Sequence, residues 1–454
     1  MKQTIGIWIC VVAMFFCSSI STGADSKATL LSAEPSKTAV LQAMETAADW
    51  QLNHPAPYLA SWKTAAGKQV ILHMLSDGAV MKKEERDAGR EERPAGIPLP
   101  WVELAGTMSG TLHLRSLPPD VQKTIARESK GAKGDVLASF DYKIDGWEMS
   151  TLYAGMAALA EASSKTVYTE ALRRLGASLN WKLSDRLYHA DDHCIGQMYL
   201  ALYEKSRDPR ILADVQERFD WILKHPPQQD LAFGNLRDRW NWCDALFMAP
   251  PVWTKLAAVT GDRRYLYYMD NEWWATTDHI YDKDEHLYYR DDRFIERREP
   301  NGRRVFWSRG NGWVIAGLVR VLDSLPEDYY SRQKYVKLYK ELAERIASLQ
   351  PEDGLWRPSM LDPASFPFPE TSGSGFFCYG IAWGIRKGIL ERGTFLPVVE
   401  KAWAGLIRSV RSDGMLGWVQ LPGSAPDPTN ANTTAPYGVG AFLLAGSELL
   451  KLAQ

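Results

Sequence analysis

Two adjacent carboxylates stand out in the stretch YHADDHCIGQ, at a point where a helix is expected to begin. Asp191 and Asp192 could simply cap that helix, because its first backbone N–H groups and its dipole stabilise negative charge. Capping does not require the flanking His189, His193 and Gln197. The stretch is therefore also typical of a polar site that binds a ligand and moves a proton.

The two histidines of this stretch are four residues apart, a spacing that metal ligands adopt on one face of a helix. The glutamate of the metalloprotease motif does not follow, and no third ligand is visible at a fixed spacing. We therefore predict neither a metal nor any other cofactor.

A single carboxylate, Asp244, lies in the mostly apolar run RWNWCDALFMAPPVW. A carboxyl group among aromatic residues loses its hydration, which favours the neutral form and suits a general acid. We predict that Asp244 is the proton donor and that Trp240, in the same run, lines the site. The simpler alternatives are an ion pair with Arg239 and a helix cap.

The motif WSRGNGW combines flat rings, a guanidinium group and glycines. Trp307 and Trp313 offer faces on which a sugar can stack, and Arg309 offers a planar fork that matches a carboxylate. Gly310 and Gly312 let a backbone approach a ligand closely. The combination fits an acidic sugar, and the alternative is a glycine turn with tryptophans in the core.

A fourth stretch, ETSGSGFF, brings hydroxyl groups and glycines to the expected start of another helix. Thr371 and Ser372 could line the same cavity as the other motifs. Helix capping would explain both residues equally well.

Helices must position these motifs, because helical periodicity dominates from about residue 145 onward. An apolar helix followed by an amphipathic one recurs at 147–183, 189–225, 240–281, 307–349 and 371–410. The last helix, 437–450, needs a partner, and the first helix, 36–52, can supply it. A hairpin cannot bury its apolar face alone, so we predict an all-α ring of six hairpins with one cavity at the starts of its inner helices. An open solenoid is the alternative.

Composition excludes some partners and indicates export. The net charge of −2 gives no sign of a nucleic-acid partner. Residues 1–24 read as a signal peptide, which predicts a periplasmic or secreted protein; a lipid anchor at Cys17 is the alternative. Residues 25–454 then form one domain without a membrane span, interrupted at about 55–140 by an insertion whose fragment GTLHLRSL could form short strands.

HADDHCIGQ, WCDALFMAPP, WSRGNGW and ETSGSG occur in an order and spacing that resemble glycoside hydrolase family 105, the unsaturated rhamnogalacturonyl hydrolases. These enzymes are distantly akin to the unsaturated glucuronyl hydrolases of family 88. The resemblance covers about residue 145 to the C-terminus, together with the stretch ADWQLNHP. Two features depart from it: many members carry a histidine about a turn before the catalytic aspartate, where this chain reads GNLRDRW, and the insertion at 55–140 is larger.

The resemblance implies an (α/α)6 barrel and an oligosaccharide substrate that ends in a 4-deoxy-4,5-unsaturated uronic acid. It implies that Asp244 is the catalytic acid/base and that Asp192 or Asp191 assists it. The implied contacts with the unsaturated sugar are Trp307, Trp313 and, for the carboxylate, Arg309.

Three other functions fit the same residues. The first is an ordinary inverting glycosidase, whose two carboxyl groups stand ~6.5–9.5 Å apart. An epimerase on the same ring would leave the sugar chain uncut. A non-catalytic glycan-binding protein would keep the aromatic cleft without turnover.

Overall fold

The computed structural model describes residues 36–53, 59–63, 69–74, 80–82, 133–138, 143–234 and 238–452, all within one compact unit. The predicted signal peptide and the fragment GTLHLRSL lie outside these residues. The helices in chain order are α1 Lys37–Asn53, α2 Trp147–Ala162, α3 Val167–Ser178, α4 Ala190–His193, α5 Gly196–Ser206, α6 Pro209–Lys224, α7 Ala245–Met248, α8 Pro250–Thr260, α9 Arg264–Ile280, α10 Ser308–Ser324, α11 Arg332–Ser348, α12 Thr371–Arg386, α13 Arg392–Arg408 and α14 Pro436–Leu452.

Six of these helices form a closed inner ring. In the order α2, α5, α8, α10, α12 and α14, each packs against the next, and α14 packs back against α2. The outer helices α3, α6, α9, α11 and α13 each return beside the inner helix that precedes them, and α1 packs against α14. The predicted all-α barrel of six hairpins is confirmed, and closure between α14 and α2 rules out the open solenoid.

Burial explains which helices lie inside. Every residue of α12 from Thr371 to Ile385 is buried, as expected for a helix surrounded by neighbours. The outer helix α6 buries only a stripe at spacings of three and four residues and keeps the rest of its surface toward solvent; the stripe is Ile211, Val215, Phe219 and Ile222. The distribution of apolar residues therefore sorts the helices into two layers.

Closure of the ring requires small residues where α2 and α14 cross. A Cβ atom on Gly440 would lie 2.4 Å from the carbonyl oxygen of Thr151, and one on Gly155 would lie 2.5 Å from the carbonyl oxygen of Gly440. Both distances are shorter than any tolerated contact, so only glycine permits this crossing.

The predicted insertion at 55–140 contains strands in its described parts. They are β1 Leu59–Lys63, β2 Gln69–Met74, β3 Val80–Lys82 and β4 Lys133–Ala138, which form an antiparallel sheet in the order β3-β2-β1-β4. A short hairpin of β5 Tyr281–Asp282 and β6 Leu287–Tyr288 follows α9. None of the helices in the described part of the chain combines the length and hydropathy that crossing a bilayer requires.

The starts of the inner helices meet at one end of the ring. Trp147, at the start of α2, stacks on Tyr437 at the start of α14 with ring centroids 5.1 Å apart. The same ring meets Trp313 of α10 edge-on at 6.0 Å. The motifs predicted to carry chemistry precede or begin inner helices, so the fold gathers them at this end.

Candidate active site

Asp191 lies on the one-turn helix α4, directly before α5, with its side chain 16% exposed. Burial raises the pKa of this carboxyl group to about 7; Arg186 opposes the shift, and the negative charges of Asp244 and Asp192 add to it. The contribution of Asp244 means that two carboxyl groups from different hairpins are electrostatically coupled. A carboxyl group with this pKa holds its proton near neutral pH and can donate a hydrogen bond to a substrate.

Asp192 has different surroundings from its neighbour. One of its carboxylate oxygens accepts the backbone N–H of Arg186 at 2.7 Å, and the other accepts Nε of the same residue at 3.0 Å and also contacts Nη2. By contrast, the basic atoms His189 Nδ1 and Arg186 Nη2 stand 3.7 and 3.9 Å from Asp191 Oδ2. Asp192 therefore holds the loop before α4, whereas Asp191 is less firmly engaged.

The two histidines beside these aspartates are buried in ring contacts. His189 caps α4, because its Nδ1 accepts the N–H of Asp191 at 3.3 Å, and its ring lies 5.0 Å from that of Trp242. His193 Nε2 lies 2.9 Å from the carbonyl oxygen of Leu187, and burial lowers the pKa of this histidine to about 4. Among the described residues, no group of three or more His, Cys, Asp and Glu side chains is arranged to hold a metal ion.

Gln197 bonds the backbone of the next hairpin. Its Nε2 donates to the carbonyl oxygen of Phe247 at 2.8 Å, and its side chain lines a cavity of about 200 Å³. This cavity opens among the last turns of the inner helices, at the end of the ring opposite Asp244. Its charged lining residues are Glu161, Glu204, Lys255, Arg320, Asp323, Glu448 and Lys451. Contact of His189, His193 and Gln197 with a sugar stays a prediction.

Asp244 lies directly before α7 with 9% of its surface exposed. Its side chain does not cap that helix, and Arg239 instead pairs with Glu272, with Nη2 2.9 Å from Oε1. Both simpler alternatives for Asp244 are thereby excluded. The carboxyl group is nevertheless not isolated among aromatic rings, because Arg290 Nε stands 3.4 Å from its Oδ2.

Arg290 is the residue that sequence reasoning missed. Its guanidinium group is held by Asp291, whose Oδ2 accepts Nη1 at 2.8 Å, and its carbonyl oxygen accepts the N–H of Cys243 at 2.9 Å. Burial alone would raise the pKa of Asp291, but hydrogen bonds from Arg293 and Arg290 hold that pKa below its ordinary value. The run RDDR, residues 290–293, was the only signal in the sequence. It is weak, because the local sequence does not distinguish a buried arginine from a solvent-exposed one.

Asn311 links the hairpin that carries Arg290 to helix α10. Its side-chain oxygen accepts the N–H of Tyr288 at 2.8 Å, and its amide nitrogen donates to the carbonyl oxygens of Tyr288 and Trp307, both at 3.1 Å. These bonds join β6 to the first turn of α10. The central asparagine of WSRGNGW therefore positions the segment that leads into Arg290.

The remaining side chains of this motif are packed. Trp307 is 2% exposed and its Nε1 donates to Gln420 Oε1 at 2.8 Å. Arg309 is fully buried, and its Nη1 and Nη2 donate to the carbonyl oxygens of Gln420 and Leu421 at 2.6 and 3.0 Å. Trp313 is also fully buried. Packing accounts for all three residues, and their contact with a sugar stays a prediction.

The two glycines of the motif make room for protein rather than for a ligand. A Cβ atom on Gly310 would lie 3.1 Å from the sulfur of Cys243, and one on Gly312 would lie 3.2 Å from the Cα atom of Gly373. They allow α10 to approach α12 and the segment that carries Asp244.

Trp240, Thr371 and Ser372 are buried as well. Trp240 meets Tyr268 edge-on at 6.1 Å. The hydroxyl group of Thr371 donates to the carbonyl oxygen of Gly417 at 2.8 Å.

The cap of α12 is not one of the hydroxyl groups that the sequence suggested. The carboxylate of Glu370 accepts the N–H groups of Ser372 and Gly373 at 3.0 and 2.6 Å, and it also accepts the Ser372 hydroxyl at 2.5 Å. As with the tryptophans, a role of Trp240, Thr371 and Ser372 in binding a sugar stays a prediction.

A closed ring of six hairpins, with coupled carboxyl groups where the inner helices start, is typical of α/α-toroid glycoside hydrolases. The family model described as Glycosyl Hydrolase Family 88 matches residues 121–453, and the chain belongs to this family. The protein is therefore a glycoside hydrolase, and the resemblance noted in its sequence motifs is confirmed.

Similar proteins carry more specific names. An Unsaturated 3S-rhamnoglycuronyl hydrolase of Alteromonas sp. (strain LOR) is 39% identical over 67% of this chain and 77% of the relative. A protein of the same name from Formosa agariphila is 38% identical over 68% of this chain and 85% of the relative. The structure of a glycosyl hydrolase family 88 protein from Bacteroides vulgatus has 29% identity and a TM-score of 0.63, over 68% of this chain and 92% of that one.

Proposed function

We propose that this enzyme removes a 4-deoxy-4,5-unsaturated uronic acid from the non-reducing end of oligosaccharides that polysaccharide lyases release. The observation that carries the proposal is that Asp191, on α4, and Asp244, directly before α7, meet where these two short helices pack together, with Arg290 beside Asp244. The family and the names of its relatives support the same substrate class.

The chemistry follows from the double bond of this sugar, which is a vinyl ether. A proton added at C4 produces an oxocarbenium ion that the ring oxygen stabilises. Water then adds at C5 and returns one proton to the enzyme, which restores the acid. The product is a hemiketal at C5; when it opens, C1 becomes a hemiacetal, and its collapse to an aldehyde breaks the bond to the next sugar and releases the rest of the chain. One carboxyl group can donate the first proton and accept the last.

We assign the proton transfers to Asp244 on the family resemblance alone, because the raised pKa belongs to Asp191, which takes the assisting role. Both oxygens of Asp192 accept hydrogen bonds from Arg186, so Asp192 has a structural task. Asp191 has a pKa of about 7 and can hold a sugar hydroxyl group or the attacking water as a neutral donor. On the basis of those contacts we choose Asp191 over Asp192 as the assisting residue.

The sugar next to the unsaturated residue belongs to the same proposal. The relatives from Alteromonas and Formosa are named for a rhamnoglycuronyl unit. We take rhamnose as the neighbouring sugar for this chain, which makes products of rhamnose-containing acidic polysaccharides its substrates.

Export is also a proposal. The first 24 residues combine Lys2, an apolar run and small residues before Asp25, which is the pattern of a signal peptide. An enzyme that follows polysaccharide lyases would then work in the periplasm or outside the cell. Cell fractionation with an antibody to the protein tests this, and retention in the cytoplasm would contradict it.

The decisive experiment follows the ultraviolet absorbance of the unsaturated sugar on a panel of lyase products, with rhamnose or another sugar in the next position. The parent enzyme should remove this absorbance in step with release of the shortened chain. Asp244→Asn should lower kcat by about 10²–10⁴-fold, the usual contribution of a general acid. Asp208→Asn is the control, because asparagine caps a helix about as well as the aspartate that caps α6.

Other outcomes identify the alternatives. Release of an intact unsaturated sugar with its absorbance preserved indicates an ordinary inverting glycosidase. Binding without turnover indicates a glycan-binding protein, and conversion without chain shortening indicates an epimerase. Any of these results, or an increase in absorbance, would overturn the proposal.

A further inference from the structure

We propose that Arg290, rather than Arg309, receives the carboxylate of the unsaturated uronic acid. This inference rests on the proposed function and deepens it, because it names the residue that selects an acidic sugar. It also departs from the residue that the sequence motif suggested for this task.

Both terminal nitrogens of Arg309 are already engaged, and only its Nε lacks a hydrogen-bond partner. Its side chain is fully buried, and both of its terminal nitrogens donate to the backbone carbonyl oxygens of Gln420 and Leu421. Its guanidinium group also lies over the rings of Trp307 and Tyr437, at 4.4 and 4.9 Å from their centroids. This arginine ties the 420–421 segment to α10, and a ligand carboxylate would have to displace those bonds.

Arg290 keeps an unused donor. Its side chain is 8% exposed, yet Nε has no hydrogen-bond partner in the structure; Arg309 Nε also lacks one, so the place of this donor beside Asp244 is what distinguishes Arg290. The nearest carboxylate oxygen to Nε, Asp244 Oδ2, stands 3.4 Å away as an ion-pair contact. A buried charged donor without an acceptor is costly, so a ligand oxygen that fills this position would bind favourably.

The position of this donor matches the geometry of the substrate. The carboxylate of the unsaturated sugar is attached at C5, and the proton must reach C4, the adjacent ring atom. The group that binds the carboxylate must therefore stand within a few ångströms of the acid. Arg290 meets this condition, because its guanidinium group contacts the side chain of Asp244. The positive charge would also offset the repulsion between the uronate and the enzyme's own carboxyl groups.

The surroundings hold Arg290 in place before any ligand binds. Asp291 is fully buried and accepts hydrogen bonds from both Arg290 and Arg293. The two guanidinium groups lie over the ring of Phe233, at 4.8 and 3.8 Å from its centroid. Such preorganisation reduces the entropy lost on binding, which is the expected property of a binding residue.

The test compares the unsaturated uronate substrate with its methyl ester, which has the same shape but no charge. The quantity measured is the ratio of kcat/KM for the acid to kcat/KM for the ester. When this ratio is compared between a variant and the parent, the difference in intrinsic reactivity between the two compounds cancels. Relative to the parent, Arg290→Gln should lower this ratio on the order of 10²-fold, mainly through KM for the acid, as expected when one partner of a buried charge pair is removed. Arg290→Lys should keep part of the preference.

Arg293→Gln is the matched control. It removes the other guanidinium group that bonds Asp291 and stacks on Phe233, but it leaves Arg290 beside Asp244. The parent's preference for the acid should therefore persist in this variant. Arg309→Gln should also keep the preference, whatever it does to stability.

Three results would overturn the inference. The first is an equal loss in Arg290→Gln on the acid and on the ester, which would make this arginine only a positioning residue for Asp244. The second is that Arg309→Gln loses the preference for the acid over the ester, while Arg290→Lys and Arg290→Gln keep it. The third is a parent enzyme with no preference for the acid. Failure of the proposed function is a separate outcome, since the parent would then not consume the double bond at all.

Discussion

Asp191 and Asp192 are adjacent and chemically identical, yet their surroundings differ in the folded chain. Both oxygens of Asp192 accept hydrogen bonds from Arg186, while Asp191, whose side chain is 16% exposed, has its pKa raised to about 7. Among single residues, Asp192 therefore has a structural task, and the chemical task that we propose falls to Asp191. Asp244 has a different neighbour from these two aspartates, because the cation beside it is Arg290.

The raised pKa of Asp191 predicts a pH-dependent stability effect. The pKa of this carboxyl group is 3.8 in the unfolded chain and about 7 in the folded chain. At a pH between these two values, the unfolded chain has released the proton and the folded chain still holds it. The parent's free energy of unfolding therefore loses this contribution as pH rises through that window. Asparagine does not titrate, so Asp191→Asn should gain about 1–3 kcal/mol relative to the parent between pH 4 and pH 8.

Denaturant unfolding at both pH values measures this difference. Asp192→Asn is the comparison, because it removes the negative charge and one of the two oxygens that bond Arg186 and should destabilise the protein at pH 8. A difference between Asp191→Asn and the parent that stays constant with pH, or that falls, would contradict the elevated pKa.

At the scale of elements, the active site depends on the junction between the β5–β6 hairpin and α10. Asn311 fixes the backbone of Tyr288 by two hydrogen bonds, and the chain then reaches Arg290 within two residues. The N–H of Cys243 holds the carbonyl oxygen of Arg290 from the other side. Acid and cation are therefore positioned by main-chain bonds between separate elements.

We predict that Asn311→Ala impairs both stability and catalysis. The substitution leaves the buried N–H and carbonyl groups of Tyr288 without the partner that the amide provides, which should cost about 1–3 kcal/mol of the free energy of unfolding. It should also lower kcat, because the segment that carries Arg290 loses its attachment.

Asn301→Ala is the control for this prediction. Asn301 is exposed and likewise bonds backbone groups, those of Leu361 and Arg303. Its loss should have a clearly smaller effect on unfolding and leave kcat close to the parent value. Equal effects of the two substitutions on kcat would show that Asn311 has no special connection to the site.

At the scale of the whole molecule, the contact between α14 and α2 closes the ring. Gly440 and Gly155 bring these two backbones together, and the aromatic contact of Trp147 with Tyr437 continues the same interface toward the active-site end. Closure thereby brings together motifs from different hairpins. An open stack would leave the first and last hairpins apart.

Gly440→Ala tests this closure. The added Cβ atom would meet the carbonyl oxygen of Thr151 at 2.4 Å, and backbone cannot yield as a flexible side chain can. We expect a loss of about 2–4 kcal/mol in the free energy of unfolding, in the upper range of overpacking effects. Gly234→Ala, where a Cβ atom has nothing within 4 Å, is the control for the same denaturation experiment. Unchanged stability of Gly440→Ala would show that this crossing does not limit the ring.

The amino-acid pattern alone was enough to predict the six hairpins and the candidate acids. The alternation of apolar and amphipathic helices is local information, because burial along a helix follows its own repeat. Asp244 could be singled out for a similar reason, since it is the one carboxylate in an apolar run. The pairing of the first helix with the last followed from counting hairpins, and the contact of α1 with α14 confirms it.

Which side chains remain available for chemistry depends on contacts that exist only in the folded chain. The burial of Trp307, Trp313 and Arg309, the engagement of Asp192 and the placement of Arg290 beside Asp244 are set by neighbours that arrive from other hairpins. Hydrogen bonds and electrostatic interactions depend on distances of a few ångströms, which the closing of the ring fixes. No local pattern in the chain encodes those distances.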